Sequence, residues 1–326
     1  MTRIAVLDDW QGIAEGAVDW SAVRAHAELV FFREHLGGAD AVVAALAGFD
    51  AVVAMRERTR LLADVVMRLP RLKLLSFTGA RNAAVDVAAC TAQGVVVCNT
   101  TTARSSHGTA ELTLGLMLAG LRHIALGDAE MRAGRFQGRV PPGGEAMGRT
   151  LGLVGLGNIG GRVARYALAM EMKVVAWSQN LTAERAAAVG VELVGKGELF
   201  ARADVVSVHL VLSERTRHVV GAAEIGAMKP GALLVNTSRG GHVDTDALVG
   251  ALRDGRVRAA IDVYDEEPLA GDHPLRGVPG TVLTPHLGYV TAENMPELYR
   301  STVENLVGWL AGVPVRVVNP GVVARG

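Results

Sequence analysis

The stretch TLGLVGLGNIGGRVAR, residues 150–165, decides how the rest of the chain is read. Its apolar run Leu151 to Val154 has the length of a short buried strand and runs straight into Gly155, Gly157 and Gly160. From Asn158 onward the apolar spacing becomes helical. Strand, glycine turn and helix start make one unit, and each glycine has its own task. Gly155 permits the sharp turn, Gly157 lets the backbone approach a pyrophosphate, and Gly160 lets helix and strand pack closely. The exposed amides at the helix start, Asn158 and Ile159 among them, then favour anionic phosphates.

Outward from this motif the same alternation recurs. Before it, short apolar runs predict strands at 3–7, 28–32, 51–54, 72–77 and 95–98, with helices near 14–26, 40–46, 60–68 and 84–93. After it come predicted strands at 173–177, 192–194, 204–209, 232–236, 257–262 and 281–283, a second α/β unit of six strands. Strands alternating with helices imply parallel sheets joined by crossover helices, so the fold class is α/β with two such sheets. Between the halves lie a linker of small polar residues, 99–106, a long helix over 108–131 and a Gly- and Pro-rich loop, 135–148. A terminal helix is expected over 292–311. The first unit lacks a closing helix, so the tail should fold back on it.

At 326 residues the chain exceeds one ordinary core, and about 150 residues per domain suggests two. Half the residues are hydrophobic and formal net charge is zero, with no block of like charges. That argues against nucleic acid or an anionic membrane as partner. No apolar run is long enough to span a bilayer, and the start, MTRIAVLDDW, is unlike a signal peptide. Cys90 and Cys98 are the only cysteines and have no metal-ligand spacing, so no metal is expected and the compartment is read as cytoplasmic.

The dinucleotide type is left open. An acid about 20 residues beyond the glycines usually accepts hydrogen bonds from the adenosine ribose. Here the second strand ends in Trp177, Ser178, Gln179, Asn180, with no acid. A 2′-phosphate is then no longer repelled, so NADP(H) is allowed beside NAD(H).

Three later motifs each follow a predicted strand. Val235-Asn236-Thr237-Ser238-Arg239-Gly240-Gly241 sets a planar guanidinium at a strand end, where it can hold a carboxylate through two parallel hydrogen bonds. Asp262-Val263-Tyr264-Asp265-Glu266-Glu267-Pro268 supplies carboxylates, and Leu283-Thr284-Pro285-His286-Leu287-Gly288 supplies a histidine in a turn. Read singly, the acids are equally a solvated turn and His286 a structural histidine. Their coincidence after the strands of one dinucleotide-type sheet points instead to an anion anchor and an acid–base pair. A carboxylate beside an imidazole favours the protonated ring, which can give its proton to a carbonyl oxygen as hydride arrives at the carbon.

The run from Gly155 through NTSRGG, DVYDEEP and TPHLG, in this order and spacing, resembles the D-isomer-specific 2-hydroxyacid dehydrogenase family, which includes phosphoglycerate dehydrogenases and glyoxylate/hydroxypyruvate reductases. The resemblance implies two Rossmann-like domains, the nucleotide-binding domain (100–287) inserted into a flavodoxin-like, discontinuous substrate domain (1–99 and 288–326), with hinges near Asn99 and Leu287. It implies Arg239 as carboxylate anchor, Glu267 as partner of the catalytic His286, and Asp262 at the nicotinamide carboxamide. Thr109, His209, Thr237 and Gly288 fall with the cofactor residues, beside Gly155, Gly157, Asn158, Ile159, Gly160, Ser178, Gln179 and Asn180. Where many relatives have a G-x-G-V-D-N segment, this chain has Gly79-Ala80-Arg81-Asn82. The amides of Arg81 and Asn82 fall at the substrate carboxylate, with a bulky side chain where glycine is usual. Tyr289, after PHLG, either lines the substrate pocket or packs structurally.

The expectation is therefore an NAD(P)-dependent oxidoreductase acting on a small 2-keto or D-2-hydroxy acid, dimeric through the nucleotide-binding domain. The competing expectation is a corepressor-like protein of the same fold that senses dinucleotide.

Overall fold

The computed structural model describes residues 1–100 and 105–323. The chain divides into two compact units, one joining the chain from Met1 to the chain from Thr291 onward, the other Ser105–Val290.

In the first unit five strands, β1 (Thr2–Val6), β2 (Ala27–Phe31), β3 (Ala51–Ala54), β4 (Leu74–Phe77) and β5 (Val96–Cys98), form a sheet ordered β2-β1-β3-β4-β5. All pairings are parallel. This is the flavodoxin-like order. Strands β3 and β4 are buried along their whole length, which is why AVVA and LLSF read as unbroken runs and not as alternation. The region expected as one helix over 14–26 is two short helices, Ala14–Ala17 and Ser21–Arg24. The break has a local cause. Val18 is extended, and the Asp19 carboxylate accepts from the Ser21 amide (2.8 Å) and hydroxyl (2.9 Å), starting a new turn.

Helix Asn294–Leu310 closes this unit, packing against β4 and the two short N-terminal helices. The chain beyond it returns to the free edge of β5. Val317 bridges Cys98, and Asn319 caps the edge: its Oδ1 accepts from the Val97 amide (2.8 Å), while its Nδ2 donates to the Val95 carbonyl (2.9 Å) and Thr91 Oγ1 (3.0 Å).

The second unit holds seven strands, β6 (Thr150–Val154), β7 (Lys173–Trp177), β8 (Glu192–Leu193), β9 (Val205–Val208), β10 (Ala232–Asn236), β11 (Val257–Ile261) and β12 (Thr281–Leu283). Their order is β12-β11-β10-β9-β6-β7-β8, again wholly parallel. The glycine-loop strand β6 is part of the sheet, so the unit has seven strands where the sequence reading counted six. From β8 to β11 this is the dinucleotide-binding order, with β12 added at one edge, and it reverses direction between β6 and β9. Each face carries a core: Leu233 and Val235 of β10 enter one, Ala232 and Leu234 the other.

The expected helix over 108–131 is two, Ser105–Arg122 and Ile124–Arg132. His123 takes a left-handed conformation (φ +55°), a common way for a helix to end. Residues 101–104 of the expected linker 99–106 lie outside the described residues. Among the described residues no helix is long and apolar enough to cross a membrane.

Because Asn319 is buried, Asn319→Ala leaves the Val97 amide and Val95 carbonyl without their partner. A loss of about 2 kcal/mol in urea unfolding is expected, and Asn319→Asp should also destabilise, because it keeps the acceptor for the Val97 amide but sets a carboxylate oxygen against the Val95 carbonyl.

Candidate active site

In open parallel sheets ligands bind beyond the carboxyl ends of the strands, and in the second unit every candidate motif starts there. The glycine turn after β6 is built to admit something bulky and anionic. Gly155 sits at φ +106°, and a Cβ there would lie 2.5 Å from the His209 carbonyl oxygen; one at Gly160 would lie 2.2 Å from the Gly155 carbonyl oxygen. A Cβ at Gly157 would meet nothing within 4 Å. Helix Asn158–Ala169 begins at Gly157 with no side-chain cap, so the amides of Asn158, Ile159 and Gly160 point past its end. An open glycine backbone beside unsatisfied amides fits a dinucleotide pyrophosphate. His209 flanks the turn, its Nε2 2.9 Å from Ser207 Oγ, and desolvation lowers its pKa.

Ser178, Gln179 and Asn180 follow β7, Gln179 Nε2 donating to the Arg215 carbonyl at 3.4 Å. Thr109, Thr237, Asp262 and Gly288 gather in another corner. Thr113 Oγ1 donates to the Thr109 carbonyl (2.7 Å) and lies 2.7 Å from Thr237 Oγ1, and a Cβ on Gly288 would meet Thr109 Oγ1 at 3.1 Å and Asp262 Oδ2 at 3.3 Å.

The Asp262 side chain has no solvent exposure. Its Oδ1 accepts from Thr284 Oγ1 (2.6 Å) and the Leu287 amide (2.8 Å), its Oδ2 from the Gly288 amide (3.0 Å). Burial pushes its pKa up, against the lowering effect of these donors and of His286. The resemblance assigns this residue to the nicotinamide, and its carboxylate also organises the turn 284–288. His286 lies in that turn with φ +55°, its amide donating to the Asp262 carbonyl at 2.8 Å.

The pair forms at the end of this arrangement. His286 Nδ1 is 2.6 Å from Glu267 Oε2, and both side chains are largely buried. Since a carboxylate only accepts, Nδ1 carries the hydrogen, which leaves Nε2 to exchange a proton with a ligand. Glu267 Oε1 accepts from the Tyr264 amide at 3.0 Å. Tyr289 is buried edge-on against the imidazole, ring centres 5.5 Å apart. Arg239 is half-buried after β10, with Nη1 donating to the Ser238 carbonyl at 2.7 Å. Sequence reasoning missed Thr284 and Tyr264 as supports; the only sequence signal was their position inside motifs already singled out.

Arg81 and Asn82 belong to the first unit, in the turn after β4. Asn82 is buried, its Oδ1 accepting from the Ala84 amide (2.8 Å) and its Nδ2 donating to the Arg56 carbonyl. Arg81 is exposed, and the amides of Arg81 and Asn82 have no acceptor among the described residues.

A glycine cradle at the switch point of a parallel sheet, with a histidine–carboxylate pair at the same strand ends, defines a dinucleotide-binding α/β protein equipped for proton transfer. Residues 114–288 match the family model described as "D-isomer specific 2-hydroxyacid dehydrogenase, NAD binding domain". The chain belongs to that family. It is 39% identical over 244 residues to the D-3-phosphoglycerate dehydrogenase of Methanocaldococcus jannaschii, covering 74% of this chain and 46% of that protein. It is 36% identical over 282 residues to the hydroxypyruvate reductase of Thermotoga maritima, covering 86% and 90%. The chain spans about half the length of the first curated relatives it matches, 46% and 51%. Among solved structures, the phosphoglycerate oxidoreductase of Vibrio cholerae superposes with a TM-score of 0.90 at 34% identity, covering 95% of this chain and 99% of that one.

His242, three residues past Arg239, has no solvent exposure; its ring nitrogens face the Val211 and Arg239 carbonyls without a hydrogen bond of good geometry. Burial, with a smaller push from Arg239, lowers its pKa to about 4. The unfolded chain, with an ordinary histidine value of about 6.5, binds the proton first, so stability is full above that value and falls as pH drops toward 4. Urea midpoints between pH 7 and 4 should decline less in His242→Leu than in the native chain, by up to about 3 kcal/mol.

Proposed function

We propose that the protein is an NAD(P)-dependent oxidoreductase that interconverts a small 2-keto acid and the corresponding D-2-hydroxy acid. The observation that carries the reading is the 2.6 Å contact between His286 Nδ1 and Glu267 Oε2. It commits one ring nitrogen to a carboxylate and leaves the other for a substrate oxygen. A bound dinucleotide supplies or accepts the hydride.

The remaining steps belong to the chain. Gly155, Gly157 and the amides of Asn158, Ile159 and Gly160 hold the pyrophosphate, Thr109, His209, Thr237 and Gly288 line the rest of the cofactor site, and Ser178, Gln179 and Asn180 receive the ribose. Arg239 anchors the substrate carboxylate; a guanidinium binds it in two parallel hydrogen bonds and so fixes which face of the carbonyl is presented. The amides of Arg81 and Asn82 are the first unit's own candidates for a substrate carboxylate, and Tyr289 lines the imidazole. In reduction His286 Nε2 releases its proton to the carbonyl oxygen, while Glu267 stabilises the ring in its charged form. In oxidation Nε2 takes the hydroxyl proton. Asp262 keeps His286 in its turn. The first unit acts as the substrate domain.

The partner on the protein side is a second copy of the chain. On the second unit Phe136, Met147, Met131 and Ile124 are exposed by 72, 61, 58 and 55%, a concentration of apolar surface in residues 124–147 that a dimer would cover. Sedimentation velocity should find a dimer for the native chain and a monomer for a Met131→Asp, Phe136→Asp double variant.

Purified protein should oxidise NADH or NADPH with at least one of glyoxylate, hydroxypyruvate, pyruvate and longer branched 2-keto acids. The ratio of the two rates reports whether Ser178 and its neighbours accept a phosphate. His286→Ala should lower kcat by roughly 10²–10⁴-fold and leave cofactor affinity within a few-fold. Equal losses in both would remove the proton role, and dinucleotide binding without turnover of any keto acid would favour a sensing protein.

A further inference from the structure

We propose that Tyr264 is a positioning residue for proton transfer, its amide holding Glu267 and its phenol oxygen holding the chain that leads into His286. The inference rests on the reading of His286 and Glu267 as the proton pair, and it adds a residue that the motifs do not assign.

Strands β11 and β12 pair as far as Ile261 and Leu283, followed by two further main-chain bonds, from the Thr284 amide to the Ile261 carbonyl at 2.9 Å and from the His286 amide to the Asp262 carbonyl at 2.8 Å. The paired ladder ends at Leu283, and the three residues from there to His286 are held to the neighbouring segment by these two bonds alone on the main-chain side. Tyr264 spans this gap. Its hydroxyl lies 3.2 Å from the Ile261 carbonyl and 3.0 Å from the Thr284 carbonyl, so its single proton is shared between the last residue of β11 and the first residue past β12. Its amide donates to Glu267 Oε1 at 3.0 Å, which turns the other carboxylate oxygen, Oε2, toward His286 Nδ1. One residue thus touches the acid through its main chain and the approach to the imidazole through its side chain.

The hydroxyl matters here because packing does not hold the ring on every side. Tyr264 is half-buried and forms part of the wall of a cavity of about 360 Å³, together with His218, Asp244, Leu269 and His273. A phenyl ring bordering open volume is free to change rotamer unless something fixes its far end, and the two carbonyl contacts do so. Burial, with the neighbouring Asp262 and Glu267 carboxylates, pushes the phenol pKa well up, so the group remains a donor across the working range. Asp262 holds the same turn from the other side, through Thr284 Oγ1 and the amides of Leu287 and Gly288. The two supports are complementary: Asp262 fixes the turn after Thr284, and Tyr264 fixes its entry relative to Glu267.

The test is Tyr264→Phe in the full chain, which keeps the ring and its volume and so retains the fold. The first readout is the proton resonance of His286 Nδ1–H, expected far downfield of the amides because of its short contact to a carboxylate and identified by its loss in His286→Ala. In Tyr264→Phe this resonance should move upfield and broaden as the pair loosens. The second readout is the split between rate and binding: kcat should fall roughly tenfold while KM for the keto acid and Kd for NADH stay within threefold. An unchanged resonance with unchanged kcat overturns the proposal. So does an equal loss in kcat, NADH affinity and thermal stability, which would make the tyrosine a general structural support. A shifted resonance in a protein whose native form turns over no keto acid would leave Tyr264 as the holder of the pair and overturn the functional reading alone.

Discussion

A carboxylate sealed from water must find its hydrogen bonds inside the protein, and Asp262 finds all of its own in five residues of one turn. The cost of burying that charge is large unless the donors are in place. The donors here are a threonine hydroxyl and two consecutive main-chain amides, and they can be in place only if residues 284–288 follow one path. The path carries His286 in a left-handed conformation, uncommon for a residue with a side chain and costing about 1–3 kcal/mol by itself. The buried charge and the strained histidine therefore explain each other. The turn persists because releasing it would strand the carboxylate.

Parallel topology sets where this happens. Each parallel strand must be followed by a crossover, so all loops after the strands emerge at the same edge of their sheet. In the second unit that edge receives the glycine turn after β6, Ser178 to Asn180 after β7, His209 after β9, Arg239 after β10, Asp262 and Glu267 after β11 and His286 after β12. In the first unit the corresponding edge receives Arg81 and Asn82 after β4. Residues more than a hundred positions apart reach one edge because of strand order, without any local sequence signal linking them.

This also sets what could be read beforehand. Strands buried on both faces are short continuous apolar runs, and β3 and β10 have the bounds that such runs predict, as do the less buried β7 and the edge strand β12. The glycines at 155 and 160 are legible because a Cβ there would strike main-chain carbonyls, and Gly157 because its open side leaves the backbone approachable. Helix continuity was less legible. A stretch with helical spacing throughout, 14–26, breaks because the Asp19 side chain competes for the Ser21 amide, and 108–131 breaks at His123 without glycine or proline to mark it. Least legible were the supports of the site. Tyr264 and Thr284 are twenty residues apart, and nothing in their spacing announces that a phenol meets a carbonyl. His242 reads as an ordinary polar residue after two glycines, yet it is wholly buried.

The orientation of the imidazole follows from these constraints. With Nδ1 held by Glu267, ring rotation would break a 2.6 Å contact and leave a largely buried carboxylate oxygen short of a donor, so the tautomer and the outward nitrogen are fixed together. Tyr289, edge-on at 84°, limits the same rotation sterically. The acid, the strained turn and the aromatic wall each remove a different freedom: which nitrogen bears the hydrogen, where the ring stands and how it tilts. A histidine so constrained is oriented on folding, the condition under which the proton transfer proposed for it would meet no further orientational cost.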